Sequence, residues 1–155
     1  MKSLYIFDLD GTLSKIDHRL PILSDESLDE NERWRRFFAA CIDDEPNDPV
    51  CRLYRMIRKA ARNEIWIWTG RSSEVRVQTH IWLHRNHLYG HSNTALKMRE
   101  EGDKTKDADL KQKWLYGLNE EDRGRIVCCF EDRSVSVEMW RRNGILCLQV
   151  ADGNF

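Results

Sequence analysis

The sequence predicts an α/β fold in which parallel strands alternate with helices. Four short apolar runs each end at polar or acidic residues, as buried strands do when they lead into loops. Helical patterns separate these runs, and such alternation indicates parallel strands joined by crossover helices. The 155 residues are the length of one ordinary domain. We therefore expect a single domain over residues 1–155.

The strands are expected at residues 3–9, 64–68, 124–130 and 144–150. Two amphipathic helices are expected between the first two strands, because apolar residues recur there on one helical face. The first face has Trp34, Phe37, Phe38, Cys41 and Ile42, and the second has Val50, Leu53, Tyr54, Ile57 and Ala61.

Three more helices are expected further along the chain. The first begins with Ser72 or Ser73 as N-cap and buries Val77, Ile81 and Trp82. The next runs over residues 107–116, and the last, at 135–143, ends at Gly144.

Composition sets limits on the protein class. Hydrophobic residues make up 41% of the chain and charged residues 33%, which is typical of a globular domain. Apolar runs are far shorter than the roughly 20 residues needed to cross a bilayer, so we expect no membrane partner and a cytoplasmic location. The net charge of −1 gives no general field for nucleic acid. Five cysteines without a C-x-x-C spacing are expected to be reduced and mostly buried.

The strongest chemical signal is Asp8-Leu9-Asp10-Gly11-Thr12, directly after the first strand. Residues two apart in an extended chain point to the same side, so Asp8 and Asp10 can address one ligand. Carboxylate oxygens suit Mg²⁺, and a carboxylate can attack phosphorus to give an aspartyl-phosphate. An acidic turn without function is the alternative.

Two later strands end in matching polar residues. Thr69-Gly70-Arg71 offers a hydroxyl and loop amides for a phosphoryl oxygen, and Glu131-Asp132-Arg133 offers carboxylates for Mg²⁺. A phosphate and several carboxylates need a nearby positive charge. Spacing alone leaves four lysines open for this role: Lys97, Lys104, Lys106 and Lys111.

DLDGT, TGR, a downstream lysine and EDR resemble, in that order, the four motifs of the haloacid dehalogenase superfamily. More specifically, the chain resembles the 3′-phosphatase domain of bacteriophage polynucleotide kinase/phosphatase. Longer strings carry this resemblance, at residues 99–103 with 106, 107 and 111, at 131–133 with 137–142, and at 149–155. It implies a three-layer, doubly wound parallel sheet of Rossmann-like, haloacid dehalogenase type. It also implies a small helical insertion or cap after the first strand, at residues 13–63, whose helices can equally pack on the sheet.

The resemblance also implies roles. Asp8 matches the nucleophile, Asp10 the general acid/base, Thr69 the phosphate-holding hydroxyl and Lys111 the motif lysine, with Asp107 as its supporting partner. The Mg²⁺ ligands are Asp8, Asp10 through its main-chain oxygen, and Asp132. Relatives often have Asp-Asp at the fourth motif, so Glu131 is expected to support the metal from outside its ligand set. The substrate-binding group is Arg19, Gly70, Arg71, Arg99 and Arg133, although Arg19 is equally open to being surface charge.

We expect a Mg²⁺-dependent phosphomonoesterase, namely a polynucleotide 3′-phosphatase of nucleic-acid end repair acting on a DNA or RNA end. A phage origin, which the resemblance implies, would place it in the host cytoplasm. The alternative is a small-molecule or nucleoside-monophosphate phosphatase with the same catalytic residues. A catalytically silent binding protein is disfavoured by the intact acidic set. The sequence has no G-x-x-x-x-G-K-[ST] motif, so we expect no kinase activity here. The protein would then act either alone or beside a separate kinase or ligase.

Two further patterns, in the histidines and the tryptophans, could suggest a zinc site and base stacking. His80, His84, His87 and His91 recur at helical spacing, but no Cys or carboxylate completes a zinc site, so we expect exposed or locally bonded histidines. Six tryptophans might stack on bases, but most fall at buried positions of helices or strands, so we expect most of them in the core.

Overall fold

A computed structural model describes residues 2–153. Met1, Asn154 and Phe155, which fall within the predicted domain or the 149–155 string, lie outside the described residues. The strands are β1 (Ser3–Phe7), β2 (Ser14–Lys15), β3 (Glu45–Pro46), β4 (Asn63–Ser72), β5 (Thr94–Arg99), β6 (Ile126–Glu131) and β7 (Cys147–Gln149).

Five of these strands form one parallel sheet in the order β5-β4-β1-β6-β7. The central strand β1 pairs Phe7 with Ile67 on one side and with Phe130 on the other. The chain builds β4 and β5 on one side of β1, and β6 and β7 on the other. This reversal leaves a crevice at the carboxyl ends of β1 and β6, where sheets of this kind bind ligands. The predicted α/β fold with a parallel sheet is confirmed.

The helices are α1 (Leu20–Leu23), α2 (Glu30–Ala39), α3 (Asp48–Lys59), α4 (Arg76–Arg85), α5 (Asp107–Tyr116), α6 (Glu120–Gly124) and α7 (Ser134–Arg142). Local sequence sets several of their ends. Asp29 caps α2 by accepting a hydrogen bond from the Glu32 amide. Gly144 follows α7 with φ +76°, the left-handed conformation that commonly ends a helix.

Two apolar clusters cover the two faces of the sheet. On one face, Val50 and Tyr54 of α3 and Trp82 of α4 pack against strand residues such as Ile67. On the other, Leu115 of α5 joins residues of α7 in a second cluster. The sheet is therefore the middle of three layers, which explains why β1 is apolar on both sides.

The segment between β1 and β4 has two parts with different neighbours. Helix α3 belongs to one layer on the sheet, as its buried Val50 and Tyr54 show. Helix α2 contributes Phe38 to a separate small cluster with Val75 and Met98. The segment thus combines ordinary packing on the sheet with a helix that lies apart from the main core.

Some predicted details are wrong. Strand β5 was not predicted, because TALKMR at the sheet edge mixes apolar and charged residues. Helix α4 buries Thr79, Trp82 and Leu83. Val77 and Ile81, expected in the core, are 68% and 44% exposed. The face of α4 that packs on the sheet is therefore not the face that contains Val77 and Ile81.

All five cysteines are free and buried, as expected. No helix among residues 2–153 has the length and apolar content needed to traverse a bilayer.

Candidate active site

The carboxyl ends of β1 and β6 meet the start of α5 around the buried ammonium group of Lys111. Its Nζ lies 2.7 Å from Asp8 Oδ1, 2.7 Å from Glu131 Oε1 and 3.1 Å from Asp107 Oδ2. Burial opposes the charge, but the carboxylates of Asp107, Asp8 and Glu131 outweigh it and raise the pKa of Lys111 well above its usual value. Lys111 is therefore a cation at neutral pH.

Asp8, Glu131 and Asp132 form an acidic trio, in which one carboxylate oxygen of each lies within 4.8 Å of the others. Burial raises the pKa of Asp8 to about 6 and that of Asp132 to about 7. Burial also raises the pKa of Glu131 well above its usual range. Carboxylates held this close favour either a proton or a cation between them.

Two oxygens of the acidic trio, Glu131 Oε2 and Asp132 Oδ1, are buried without a hydrogen-bond partner among the described residues. Unsatisfied buried oxygens are unusual in folded proteins, and a bound ion is one explanation. Hard divalent cations such as Mg²⁺ take carboxylate oxygens as ligands. The acidic trio therefore fits a divalent cation. The other oxygen of Glu131, Oε1, accepts hydrogen bonds from Lys111 Nζ at 2.7 Å and from Trp140 Nε1 at 3.2 Å.

The carboxylate of Asp132 packs against the backbone of two distant loops. Gly11 has φ +83°, and a Cβ there would lie 2.1 Å from Asp132 Oδ2. A Cβ on Gly153 would lie 2.3 Å from the same oxygen. Only glycine permits both approaches. The loop after β1 and the segment after β7 thus both position Asp132.

Asp10 faces two arginines instead of the acidic trio. Arg19 Nη2 donates to Asp10 Oδ1 at 2.5 Å, and Arg71 Nη2 donates to the same oxygen. Burial would raise the pKa of Asp10, but Arg71 and Arg19 outweigh burial and lower it below its usual value. Arg19 and Arg71 are both fully buried, which rules out the surface alternative for Arg19.

Sequence reasoning missed Asp44, which holds both arginines in place. It accepts from Arg19 Nε and Nη2, each at 2.8 Å, and from Arg71 Nη2 at 3.1 Å. His18 Nε2 lies 2.9 Å from its Oδ1. The Asp44 main-chain oxygen accepts from Trp82 Nε1 at 2.6 Å. Asp44 lies in the segment between β1 and β4, so that segment supplies part of the site.

Thr69 and Gly70 are residues of β4 itself and do not follow it. Thr69 is fully buried, and its Oγ1 accepts from the Arg71 amide at 3.1 Å. A Cβ on Gly70 would lie 2.2 Å from Asp107 Oδ1, so the strand backbone passes close to that carboxylate. Arg99 Nε donates to the Gly70 carbonyl at 2.7 Å and thereby braces this stretch.

The structure brings Lys111 into the site and leaves the other lysine candidates elsewhere. Lys97 lies over two tryptophan rings, Lys104 lies 3.5 Å from Asn31 Oδ1, and Lys106 is an exposed residue just before α5. Burial tends to raise the pKa of Asp107, but the positive charge of Lys111 outweighs burial and lowers it. Arg133 lies near enough to Asp107 to lower this pKa further.

Among residues 2–153, the acidic trio is the one cluster able to hold a metal, and it includes no histidine. His80 and His84 pack edge-on against the Tyr89 ring, with centroids 4.9 and 5.6 Å apart. The sequence predicts exposed or locally bonded histidines, and His84, His87 and His91 are exposed while His80 is half-buried.

The chain matches one family model along almost its whole length. The model describes the polynucleotide kinase PNKP phosphatase domain, and it matches residues 2–155.

Two solved structures of Pnkp1/Rnl/Hen1 complexes contain a similar chain, the second described as an RNA repair complex. All of this chain aligns with 48% of the first at 26% identity and TM-score 0.77. It aligns with 44% of the second at 26% identity and TM-score 0.78. The chain therefore spans about half the length of these relatives.

A more distant structure supports the fold alone. The HAD domain of the effector protein Lem4 from Legionella pneumophila is 13% identical, with TM-score 0.55, over 99% of this chain and 88% of that one.

Proposed function

The chain belongs to the polynucleotide kinase PNKP phosphatase domain family, which is of the HAD type, and from this membership we propose that it is a Mg²⁺-dependent polynucleotide 3′-phosphatase. Membership makes it a phosphatase with a haloacid dehalogenase fold. The proposed polynucleotide substrate rests on this family membership, and the observation that carries the proposed mechanism is the arrangement around Asp8. Lys111 contacts Asp8, and Asp8 forms the acidic trio with Glu131 and Asp132. Asp10, two residues later in the chain, pairs with Arg19 and Arg71.

In the proposed reaction, a carboxylate oxygen of Asp8 attacks the terminal phosphorus while the bond from phosphorus to the 3′ oxygen breaks. Asp10 gives its proton to the departing oxygen. Water then attacks the aspartyl-phosphate, Asp10 takes a proton from that water, and inorganic phosphate leaves as the Asp8 carboxylate is restored. Lys111 orients Asp8 by its 2.7 Å contact and carries positive charge where negative charge develops.

Asp10 has to carry a proton for its first step, yet Arg71 and Arg19 lower its pKa in the structure. A phosphate dianion is a second anion for the same two guanidinium groups. We propose that the substrate takes over part of their charge, which raises the pKa of Asp10 and lets it act as an acid. Asp44 keeps both arginines in place meanwhile.

Mg²⁺ would be held by the acidic trio, with the Asp10 main-chain oxygen as a further ligand. When bound, it would neutralise the carboxylates and polarise a phosphoryl oxygen. The unsatisfied Glu131 Oε2 and Asp132 Oδ1 support this assignment. They also make Glu131 a candidate direct ligand.

Phosphate recognition would come from Arg19 and Arg71, with the Thr69 hydroxyl and the Gly70 backbone close by. Arg99 and Arg133 would act from further out. A role in end repair beside a separate kinase or ligase is supported by the similarity to a chain from an RNA repair complex.

The test is a substrate panel with and without Mg²⁺. It compares 3′-phosphorylated DNA and RNA, 5′-phosphorylated ends, nucleoside monophosphates and glycerol 2-phosphate. We expect the highest kcat/KM on a 3′-phosphorylated end. Higher values on mononucleotides would establish the small-molecule alternative.

Asp8→Asn is the matching catalytic variant, and it should abolish phosphate release. Asp109→Asn, an exposed change in the first turn of α5, should leave activity intact. Undiminished activity of Asp8→Asn would rule out the aspartyl-phosphate.

A further inference from the structure

Trp34 differs from the other five tryptophans in its exposure. Trp68, Trp82 and Trp140 are at most 2% exposed, and Trp66 and Trp114 are partly buried. Trp34 is 42% exposed, although its position on α2 predicted a core residue. An indole that is partly exposed and packed among other aromatic rings can stack on a flat ligand.

Trp34 is connected to the arginine pair of the active site by ring contacts. Its ring lies 5.6 Å from that of Phe37, in an edge-to-face arrangement. The Arg19 guanidinium carbon lies 4.2 Å over the same Phe37 ring, and Arg19 Nη1 donates to the Phe37 carbonyl. The indole therefore lies one ring beyond a guanidinium group that touches Asp10.

The surface around Trp34 combines an exposed indole with a small excess of positive charge. Arg35 and Arg36 both pair with Glu32 at 2.7 Å, so one carboxylate is shared between two guanidinium groups. The Phe38 ring stacks on the indole, with the ring centroids 5.6 Å apart. Trp34 keeps 42% of its surface exposed, which leaves area on which a flat ligand can stack.

We propose that Trp34 is a stacking platform for the nucleobase of the 3′-terminal nucleotide. The proposal rests on the 3′-phosphatase activity proposed above. With the phosphate held at Arg19 and Arg71, the ribose and base of that nucleotide would extend outward, and Trp34 is separated from Arg19 by the single ring of Phe37. Stacking tolerates any base, because every base has an apolar face. Trp34 would thus select a nucleotide end over other phosphate esters without reading its sequence.

The test compares two 3′-phosphorylated oligonucleotides that differ only in the terminal nucleotide, which is thymidine in one and abasic in the other. We expect wild-type kcat/KM to be about 5-fold to 150-fold higher for the thymidine substrate. This ratio should fall towards 1 in Trp34→Ala and should be largely kept in Trp34→Phe. Tyr116→Ala removes a ring that is 57% exposed at the far end of α5, and it should keep the wild-type ratio.

Two outcomes would overturn the proposal in distinguishable ways. A wild-type ratio near 1, or a Trp34→Ala ratio equal to wild type, would exclude stacking while leaving 3′-phosphatase activity in place. Oligonucleotides hydrolysed no faster than glycerol 2-phosphate by the wild-type protein would refute the proposed function and the platform together.

Discussion

A single residue, Lys111, holds together carboxylates that would otherwise repel one another. Its side chain is 1% exposed, and its ammonium group contacts Asp8, Asp107 and Glu131. An ion pair this buried contributes less than its Coulomb energy suggests, because desolvation opposes it. Removing one partner is costly, because the remaining charges stay buried.

Lys111→Met keeps the length of the side chain and removes its charge. Without divalent cation at pH 8, we expect the free energy of unfolding, measured in urea, to fall by about 3–5 kcal/mol. Lys113→Met, an exposed change on the same helix, should stay within about 0.5 kcal/mol of wild type. Equal effects of the two changes would contradict the assigned role.

The raised pKa values in the acidic trio predict pH-dependent cation binding. The pKa is about 6 for Asp8 and about 7 for Asp132, so both carboxyl groups hold protons at pH 5. A cation has to displace those protons in order to bind. We expect the Kd for Mg²⁺, measured by calorimetry, to decrease as pH rises from 5 to 8. Asp109→Asn should keep this dependence and Asp132→Asn should weaken it. A Kd independent of pH would place the cation elsewhere.

How far sequence predicts the site depends on whether a residue sits in a recognisable pattern. Asp8, Asp10 and Lys111 stand in strings that resemble known motifs, and the structure brings them together. Asp44 stands among other acidic residues, and its arginine partners lie 25 and 27 positions away. Such a contact depends on the folded path of the chain, which one sequence does not reveal.

Among the elements, periodicity predicts those whose burial follows their hydrophobicity. It places α5 and α7 within a residue or two, since their apolar residues pack on the sheet. It fails for α4, where Thr79 is buried and Val77 is exposed, and for the edge strand β5. In both cases neighbouring elements decide which side chains are covered.

The segment between β1 and β4 contributes Asp44, which binds both arginines of the candidate site. We expect Asp44→Asn to lower kcat/KM on a 3′-phosphorylated oligonucleotide at least about 10-fold, because Arg19 and Arg71 lose a shared charged anchor. Asp43→Asn, an exposed neighbour, should have no comparable effect. Wild-type activity in Asp44→Asn would show that Asp10 alone holds the arginines.

At the scale of the whole molecule, the acidic trio couples cation binding to folding. Folded-state pKa values near 6 and 7 lie above the ordinary 3.8 of an aspartate. The stabilising effect of those bound protons is complete below about pH 4 and is lost as pH rises through 6 and 7. A cation that replaces them should therefore stabilise the fold most above pH 7.

We expect Mg²⁺ at 100 times its Kd to stabilise the fold by about 2.7 kcal/mol and to raise Tm at pH 8 by about 5–10 °C. At that same Mg²⁺ concentration, the rise should be smaller at pH 5, where the Kd is higher, and in Asp132→Ala, and it should disappear with EDTA. Thermal scans followed by circular dichroism would measure it. The same shift in Asp132→Ala would exclude Asp132 as a ligand.

The contact between Asp8 and Lys111 joins residues that the ribosome synthesises at different times. The ribosome makes the two residues 103 positions apart, which at about 5–20 residues per second is about 5–20 s of translation. During that interval the folded site that buries Asp8 is incomplete, so the burial that raises the pKa of its carboxyl group is missing. The nucleophilic role proposed for Asp8 therefore requires that synthesis has passed α5 and β6.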